Sequence, residues 1–596
     1  MQAIKILISY DCQAYVTTPF LCSNNATIYL TENINIMNRK ITKCLLLLLG
    51  ITGPKLMAQP LYGHYLDKVA PQGGDVLVKG TAYDTAGNMY IAGQFRGTAT
   101  FNNTTTLTTV KEAAFVAKIN SHGQTVWAKQ ETGNISGSYD GANDIAVDRQ
   151  GNVYIIGDGS AGAMFGTFTP DNGTHDYTNG FFVKMDNNGN VLWAKGSNSM
   201  YPTSLYADNN NNIYLAGYIS DDSTFLGGTY FPGDRNGQNA GFVWKVDGNF
   251  NLLAHFLTYS STSINDIDGD ASGNIAICGT YGQTLMFDNG VPIANPTGGP
   301  GNSYNGFVAK LNNSLTSIWA KPCYDSYEDE FTAVTLDGSG NVYAGGTYSD
   351  TIIIDGTHTF RAPTVTSHNH VLIKYDGTGN VGWAKSFGTG QTNTIAVAGL
   401  AYSSATQKLW GLFNADHGED VGGNIINDHM GIANINPADG SIPTMIQSTS
   451  DASAYGGRLA TWDSSVAVVG SFIENAGPTN GNMTLLGLTA SYIYSYESGF
   501  AFEFGNSPYA NAVTNVNAAG NDIKVFPNPA TGIVTVTAPD SKSGTITLSS
   551  MLGLTLITQP LETSNQLNLT SLPKGIYIVN VRTTEGMDVN KKVVLQ

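Results

Sequence analysis

The feature that most constrains this chain is a short phrase that returns every 60 to 67 residues. Its first copy, at residues 84–90, reads DTAGNMY, and an apolar run follows it. A fixed period indicates one structural unit repeated along the chain, so the period decides the fold before any motif is interpreted. The further copies are 148–154, 208–214, 270–275 and 337–343.

A second phrase in each unit contains a lysine and, in most copies, a tryptophan, as in Lys118 and Trp127. Two fainter units, near 409–433 and 466–502, bring the count to seven. Each unit has four short strand patterns separated by turn signals, which is the content of one propeller blade. We therefore predict an all-β chain in which residues 59–505 form a seven-bladed β-propeller of four-stranded antiparallel blades.

The last unit ends one strand short, after Phe504, whereas residues 61–66 form an unassigned strand pattern before the first unit. Pairing the two would close the ring and remove exposed strand edges. We expect residues of about 61–67 to be the fourth strand of the seventh blade, with antiparallel contacts between residues near 62 and 503.

The repeated phrases resemble the bacterial surface β-propeller repeat (SBBP) over residues of about 60–505. The resemblance implies an exported or surface-displayed protein and carries no ligand with it.

Composition agrees with this fold and excludes one class of partner. Charged residues are 13 % of the chain and glycine occurs 69 times, which favours short strands and tight turns. The net charge of −17 repels a phosphate backbone, so nucleic acid is a poor partner. Beyond the export signal only Cys278 and Cys323 remain; buried thiols are the expected state, and a disulfide between them stays open.

Residues 37–58 have the order of a secretory signal peptide. Basic residues precede an apolar run that is too short to span a bilayer, and Ala58 followed by Gln59 is the expected cleavage site. Residues 1–36 are then a spurious extension before Met37. We expect Sec export and no membrane-spanning segment in the mature chain.

A second domain, residues 521–596, follows a linker at 506–520 and shows short alternating strand patterns typical of a small immunoglobulin-like β-sandwich. Its landmarks resemble the type A sorting domain of the Bacteroidetes type IX secretion system. That resemblance implies passage across the outer membrane, with the passenger released or attached to the surface. An ordinary immunoglobulin-like binding module is the alternative. The motif residues are Pro527, Asn528, Pro529, Gly575, Tyr577, Lys591 and Lys592.

The repeated Asp, Trp and Lys residues are predicted to be structural, because a catalytic site needs one constellation and not one copy per blade. The Asp turns suit tight strand connections, while Trp and Lys suit contacts between blades. The alternating acids Asp266, Asp268 and Asp270 do not continue into an EF-hand, since position twelve is Ile277. His368 and His370 stand two apart at the entrance to a strand pattern, so they could face one side together and bind a metal. Because the sequence offers no third ligand, we predict a solvated loop instead.

The candidate ligand surface is the propeller face that carries the longer connections, between strands two and three and between blades. Acidic residues beside tyrosines there suit sugar hydroxyls or calcium. The candidate residues are Asp221, Asp222, Tyr230, Phe231, Tyr324, Tyr327, Glu328, Asp329, Glu330, Asp416, His417, Glu419 and Asp420.

We predict a non-enzymatic, monomeric surface or secreted protein that binds carbohydrate or protein and engages the type IX machinery. The sequence identifies no catalytic residue, no metal site and no cofactor, with calcium as the one ion the acidic loops would suit. A propeller enzyme, such as a glycoside hydrolase, a lyase or a quinoprotein-like dehydrogenase, is the alternative.

Overall fold

The computed structural model separates the chain into two units, residues 1–60 and 61–596. In the first, Pro19–Cys22 pairs antiparallel with Ala26–Tyr29. Every element assigned in the described residues is a β-strand. The described residues are 19–22, 26–29, 62–72, 75–101, 105–133, 140–160, 162–170, 179–197, 199–220, 223–226, 229–232, 239–259, 261–282, 284–287, 293–294, 304–324, 329–363, 368–388, 396–415, 418–427, 429–450, 453–473, 481–486, 488–492, 498–505, 524–537, 544–550, 555–562, 564–583 and 588–596.

Within those residues the repeat strands form antiparallel sheets: four of four strands, one of six and one of eight. For description, the strands are divided into groups of four and numbered as sheets 1 to 7 in chain order. Sheet 1 contains Val76–Tyr83, Met89–Phe101, Thr105–Ile119 and Thr125–Gln130; sheet 2 contains Gly141–Val147, Val153–Gly159, Asn179–Met185 and Val191–Ser197. Sheet 3 contains Met200–Ala207, Ile213–Ile219, Ala240–Val246 and Leu252–Tyr259; sheet 4 contains Ser263–Gly269, Ile275–Tyr281, Asn305–Leu311 and Ser317–Pro322. Sheet 5 contains Asp329–Leu336, Val342–Ser349, His368–Tyr375 and Val381–Phe387; sheet 6 contains Ala396–Ser403, Lys408–Asn414, Met430–Ile435 and Thr444–Gln447. Sheet 7 contains Ser453–Trp462, Ser465–Ile473, Ser498–Gly505 and, as its fourth strand, Tyr62–Gln72.

The fourth strand of sheet 7 confirms the pairing predicted from the strand count. Tyr62 lies opposite Gly505, and the antiparallel register continues to Val69 opposite Gly499. The far end of the same strand pairs with Met89–Phe101, so it ties sheet 7 to sheet 1. An edge at each end of the repeat is thereby removed.

The first strand of each sheet carries a β-bulge at the same place. In sheet 3, for example, Pro202 and Ser204 face consecutive residues of the second strand, so Thr203 is the extra residue. A bulge re-aims the side chain of the extra residue away from the ladder. The seven extra residues are Lys79, Asn143, Thr203, Asn265, Thr332, Ala398 and Gly457.

The bulged side chains join successive first strands. Thr203 Oγ1 donates to the Ile264 carbonyl at 2.7 Å, and Thr332 Oγ1 donates to the Val397 carbonyl at 2.7 Å. Each first strand also contacts the next one, and the strand of sheet 7 contacts that of sheet 1. The further bonds run from Asn143 to the Pro202 carbonyl and from Asn265 to the Phe331 carbonyl.

Because neighbouring strands run in opposite directions, the connections between them lie at two opposite ends of the strands, and each end forms one face of the repeat. The turn face carries the connections from strand one to two and from three to four. The hairpin face carries those from strand two to three and from sheet to sheet. Additional short strands on the hairpin face are Thr132–Gly133, Ala163–Met164, Ser223–Leu226, Thr229–Pro232, Thr284–Phe287, Ile293–Ala294, Thr351–Ile353, Thr359–Arg361, Glu419–Val421, Asn424–Ile426, Thr449–Ser450, Gly481–Leu485 and Leu488–Tyr492.

The C-terminal residues form two further antiparallel sheets that share one buried core. The core includes Val534, Leu567 and Val579, each fully buried. One sheet contains Lys524–Phe526, Ile533–Thr537 and Ser564–Asn568; the other contains Gly544–Ser550, Thr555–Pro560, Gly575–Thr583 and Asp588–Leu595.

Candidate functional site

The turn face is built from one repeated set of contacts. Asp84 Oδ1 accepts the backbone N–H groups of Ala86 and Asn88, both at 2.9 Å. Its other oxygen accepts the Asn88 amide at 2.7 Å and the Tyr90 hydroxyl at 3.1 Å. Gly87 has φ +77°, a conformation that glycine adopts without steric cost. The turns at Asp148, Asp208, Asp270 and Asp337 repeat the two backbone bonds and the amide bond.

The repeated tryptophans and lysines join neighbouring sheets. Trp127 Nε1 donates to the Asn187 carbonyl at 3.1 Å, and Lys184 Nζ donates to the Gly248 carbonyl at 2.9 Å. Lys118 Nζ also lies 3.5 Å from Asp84 Oδ2, in an ion pair within sheet 1. Since these groups hold turns and sheets together in copy after copy, they serve the fold.

A charged network crosses from sheet 7 to sheets 2, 3 and 4. The Arg458 guanidinium donates to Asp144 Oδ2 at 2.8 Å, Asp266 Oδ1 at 2.7 Å and Ser204 Oγ at 2.9 Å. Asp266 Oδ2 also accepts the Val334 backbone N–H, so both of its oxygens are occupied. These two carboxylates share the single positive charge of Arg458 and are bound within the fold, so we regard them as structural.

A track of polar and aromatic side chains lies near the hairpin face across sheets 1 to 3. Lys79 Nζ donates to Asn143 Oδ1 at 3.3 Å, and Asn143 Nδ2 donates to Asp158 Oδ2 at 2.8 Å. Beyond them, the rings of Tyr201 and Tyr218 stack at 4.8 Å with an interplanar angle of 9°. All five side chains are half-buried, so the track keeps a surface toward solvent.

The electrostatics of the track centre on Asp158. Burial raises the pKa of Asp158 and the nearby charge of Asp140 adds to it, against the opposing effects of Asn143 and Lys79. Asp158 Oδ1 is without a hydrogen-bond partner in the described part of the chain. Burial, Tyr201 and Asp158 together raise the pKa of Tyr218. The track therefore offers an amide and an aromatic face, beside a carboxyl group whose one oxygen left unpartnered by the described residues is buried.

The candidate ligand residues of sheets 5 and 6 alternate between buried and accessible positions. Asp329 and Glu419 are each 1 % exposed, whereas Glu330 is exposed and Asp420 is half-buried. Successive residues of a strand point to opposite sides, which explains the alternation. Asp420 Oδ1 accepts the Gly423 backbone N–H at 2.7 Å, so it shapes its own hairpin turn.

The remaining candidates are placed only in part. Tyr324 is half-buried and exchanges two backbone hydrogen bonds with Ile353. Tyr230 and Phe231 lie in the hairpin strand Thr229–Pro232. The candidates outside the described residues are Asp221, Asp222, Tyr327, Glu328, Asp416 and His417, together with Ala58 and Gln59 at the expected cleavage site.

Two other sequence expectations have structural outcomes. The prediction that His368 and His370 lie in a solvated loop is wrong, because both belong to the strand His368–Tyr375 and His370 is fully buried. Burial lowers the pKa of His370 to about 4, although its Nε2 lies 3.2 Å from the Asn414 carbonyl oxygen. Cys278 and Cys323 are both free and buried.

The sorting-motif residues form local contacts in the C-terminal sheets. Asn528 Nδ2 donates to the Lys592 carbonyl at 2.6 Å, and Asn528 Oδ1 accepts the Val594 backbone N–H at 2.9 Å. The Tyr577 hydroxyl donates to the Pro573 carbonyl at 2.6 Å. Pro527, Pro529, Gly575 and Lys592 are exposed, and Lys591 is half-buried.

Comparisons with known proteins agree with the two repeated phrases and the C-terminal landmarks. Residues 126–162 match the family model "Beta-propeller repeat", and residues 524–596 match "Secretion system C-terminal sorting domain". A search of curated proteins gave no match. No helix in the described residues has the length and apolar character needed to cross a bilayer.

Solved structures that resemble the chain include a Dos1 propeller, with 10 % identity and a TM-score of 0.37 over 75 % of this chain and 95 % of that one. Sqt1 from Chaetomium thermophilum has 9 % identity and a TM-score of 0.30 over 73 % and 100 %. A protein of unknown function from Bacteroides caccae has 10 % identity and a TM-score of 0.27 over 56 % and 89 %. From its two family matches, the chain is an exported protein that carries a β-propeller repeat and a sorting domain for type IX secretion to the cell surface or the extracellular space.

Proposed function

We propose that residues 59–505 form a seven-bladed β-propeller and that residues 521–596 form an immunoglobulin-like sandwich. The cyclic order of contacts among the first strands and the pairing of Tyr62–Gln72 with Ser498–Gly505 support the blade count. The shared core of the two C-terminal sheets supports the sandwich.

We further propose that the propeller is a non-enzymatic binding protein whose ligand, carbohydrate in the first instance, occupies the hairpin face. One observation carries this proposal: the track formed by Asn143, Asp158, Tyr201 and Tyr218. A tyrosine face packs against the C–H side of a sugar ring, while carboxylate and amide groups bond its hydroxyls.

A protein ligand is the second candidate, favoured by apolar side chains exposed on the hairpins. Val110 is 93 % exposed, and Met286, Ile425 and Leu486 are each 38 to 45 % exposed. Similar exposure occurs in the fourth strands of sheets 1 to 4, at Val126, Leu192, Leu253 and Ile318. Such residues are therefore not confined to the hairpins, so they support a protein ligand less well than the track supports a carbohydrate.

A propeller-fold glycosidase or lyase is less well supported. A catalytic carboxyl group must come within hydrogen-bond reach of the substrate. Asp144 and Asp266 are bound to Arg458, and the strongly perturbed Glu131 has no exposed surface. The carboxyl groups with the most unusual environments are therefore the least accessible to a substrate.

The test is a glycan array screen of the purified chain, followed by titration of each hit against variants. We expect Tyr218→Ala and Asp158→Asn each to weaken binding about tenfold, the equivalent of about 1.4 kcal/mol. Tyr402→Ala is the matched control, since Tyr402 is also half-buried and stacks on Tyr343 at 6.2 Å, but on the turn face.

The outcomes distinguish the candidates. Binding that is lost in the two track variants and kept in the control supports a sugar site. If the array gives no hits and the same face binds a defined protein, the ligand is a protein and not a carbohydrate. Hydrolysis of a glycan by the chain would contradict the non-enzymatic role.

A further inference from the structure

Two carboxylates are buried together where sheet 1 meets sheet 2. Glu131 follows the last strand of sheet 1 and Asp140 precedes the first strand of sheet 2, and both are 0 % exposed. Glu131 Oε2 accepts the Ala114 backbone N–H at 3.0 Å. The Ser160 hydroxyl oxygen lies 2.7 Å from both carboxylate oxygens of Asp140. Each acid is thus anchored to its own sheet.

The second oxygen of Glu131 is unusual. Among the described residues Glu131 Oε1 has no hydrogen-bond partner, although the side chain is fully buried. This oxygen points toward Gly159, where an added Cβ would lie 3.8 Å away. Gly159 stands between Asp158 and Ser160, so Glu131 Oε1 faces the segment that anchors Asp140. A buried carboxylate oxygen without a partner carries a free-energy cost that a ligand or a proton would remove.

The surrounding charges increase this cost. Burial raises the pKa of Glu131 to about 8, and the charge of Asp140 acts in the same direction. Burial likewise raises the pKa of Asp140 and of Glu112, while Lys111 and Lys79 oppose these increases only in part. At neutral pH Glu131 therefore keeps its proton when no cation is bound, and a cation would have to displace that proton.

We propose that Glu131 and Asp140 bind a divalent cation of the calcium type between sheets 1 and 2. Calcium prefers carboxylate oxygens and completes its coordination with backbone carbonyls and water. In the described residues no group of three or more His, Cys, Asp or Glu is arranged to hold a metal, so this ion would use two carboxylates. Bound there, it replaces the proton of Glu131, which is released to solvent, and it links the sheets. The inference does not rest on the proposed ligand site, although Asp158 of the track is adjacent to Gly159 and its pKa is affected by the charge of Asp140.

The experiment uses the full chain, stripped of metal with EDTA and titrated with calcium chloride in a calorimeter and in thermal melts. We expect calcium to bind and to raise the melting temperature. Glu131→Gln and Asp140→Asn should each weaken calcium binding at least about tenfold. The matched control is Asp186→Asn. Asn120 and Asn312 occupy the equivalent turn position in sheets 1 and 4, so the turn should tolerate this substitution. Its calcium response should equal that of the wild type.

Two results would overturn the inference: a wild-type chain without calcium binding, or binding that persists undiminished in both site variants. Circular dichroism and the metal-free melting temperature establish that the variants are folded. A further measurement needs no variant: protons compete for Glu131, so calcium should bind at least about tenfold more weakly at pH 5 than at pH 8. Equal affinity at the two pH values would contradict the site.

Discussion

Aspartates on the turn face and on the hairpin face of the repeat differ in how fully their oxygens are hydrogen-bonded. On the turn face, Asp84 accepts two backbone N–H groups, an amide and a hydroxyl, and later repeats copy this arrangement. On the hairpin face the connections differ from sheet to sheet, and Asp158 retains an oxygen without a partner among the described residues. Repetition thus marks what every sheet needs, whereas single occurrences mark candidates for binding.

The acids of the two faces differ in electrostatics as well. Burial alone would raise the pKa of Asp84, but the hydrogen bonds from Asn88, Tyr90 and Ala86 outweigh it and lower the pKa. For Asp158, burial is the larger effect and the pKa rises. Asp84 is thus stabilised as an anion, whereas Asp158 lacks enough donors or positive charge.

The largest effect on stability is expected in the charged network of Arg458, which belongs to neither face. Arg458→Leu leaves Asp144 and Asp266 buried without their counter-charge, so we expect the free energy of unfolding to fall by about 3 to 5 kcal/mol. Denaturant titration measures the change. Arg96→Leu is the control, since its ion pair with Asp75 is exposed and should contribute less than about 1 kcal/mol. Equal losses in the two variants would contradict the structural role of the network.

Glu131 on the hairpin face and Asp84 on the turn face should change the stability with pH in opposite directions. The folded-state pKa of Glu131, about 8, lies above its ordinary value of 4.5. Its contribution is complete below pH 4.5 and is lost as the pH rises toward 8, by at most about 1.4 kcal/mol per pH unit. The pKa of Asp84 is lowered in the folded state, so its contribution to the free energy of unfolding is present above pH 3.8 and is lost as the pH falls below that value.

Chemical unfolding of the metal-free chain at pH 5, 6, 7 and 8 measures this difference. We expect the free energy of unfolding to decline across the series in the wild type and to change less in Glu131→Gln. Superimposable pH profiles for the two proteins would show that Glu131 is not the group responsible.

A smaller effect is expected from one turn. Asp148→Ala removes the acceptor for the backbone N–H groups of Gln150 and Asn152 and for the Tyr154 hydroxyl. We expect a loss of about 1 to 3 kcal/mol in denaturant titrations, because those donors lose their partner. Asp148→Asn, which keeps an acceptor oxygen, should recover part of the loss. A neutral Asp148→Ala variant would show that the repeated turns are not structural.

The two faces were also unequally predictable from sequence. The turn contacts could be predicted because an Asp and its donors lie within six residues, in a phrase that repeats. The closing strand could be predicted because the strand count of the last unit was incomplete. Both inferences depend on local pattern and period, which the sequence displays directly.

The sequence does not reveal the Arg458 network or the track, and the reason is physical. Arg458 lies 192 residues from Asp266 and 314 from Asp144, and the bulges that re-aim neighbouring side chains have no local signature. Asp266 and Asp268 were noticed only as an incomplete calcium loop. Tyr201 and Tyr218 face each other in a strand pairing, so a correct register would have found them.

The most direct test of the division between the faces compares one variant from each in both binding and stability, using a glycan or protein ligand recovered in the screens. We predict that Tyr218→Ala loses binding but keeps a melting temperature near that of the wild type. Asp148→Ala should lower the melting temperature, but its affinity for the ligand should equal that of the wild type at temperatures well below its melting temperature. The reverse pattern, with binding lost in Asp148→Ala and retained in Tyr218→Ala, would contradict the account.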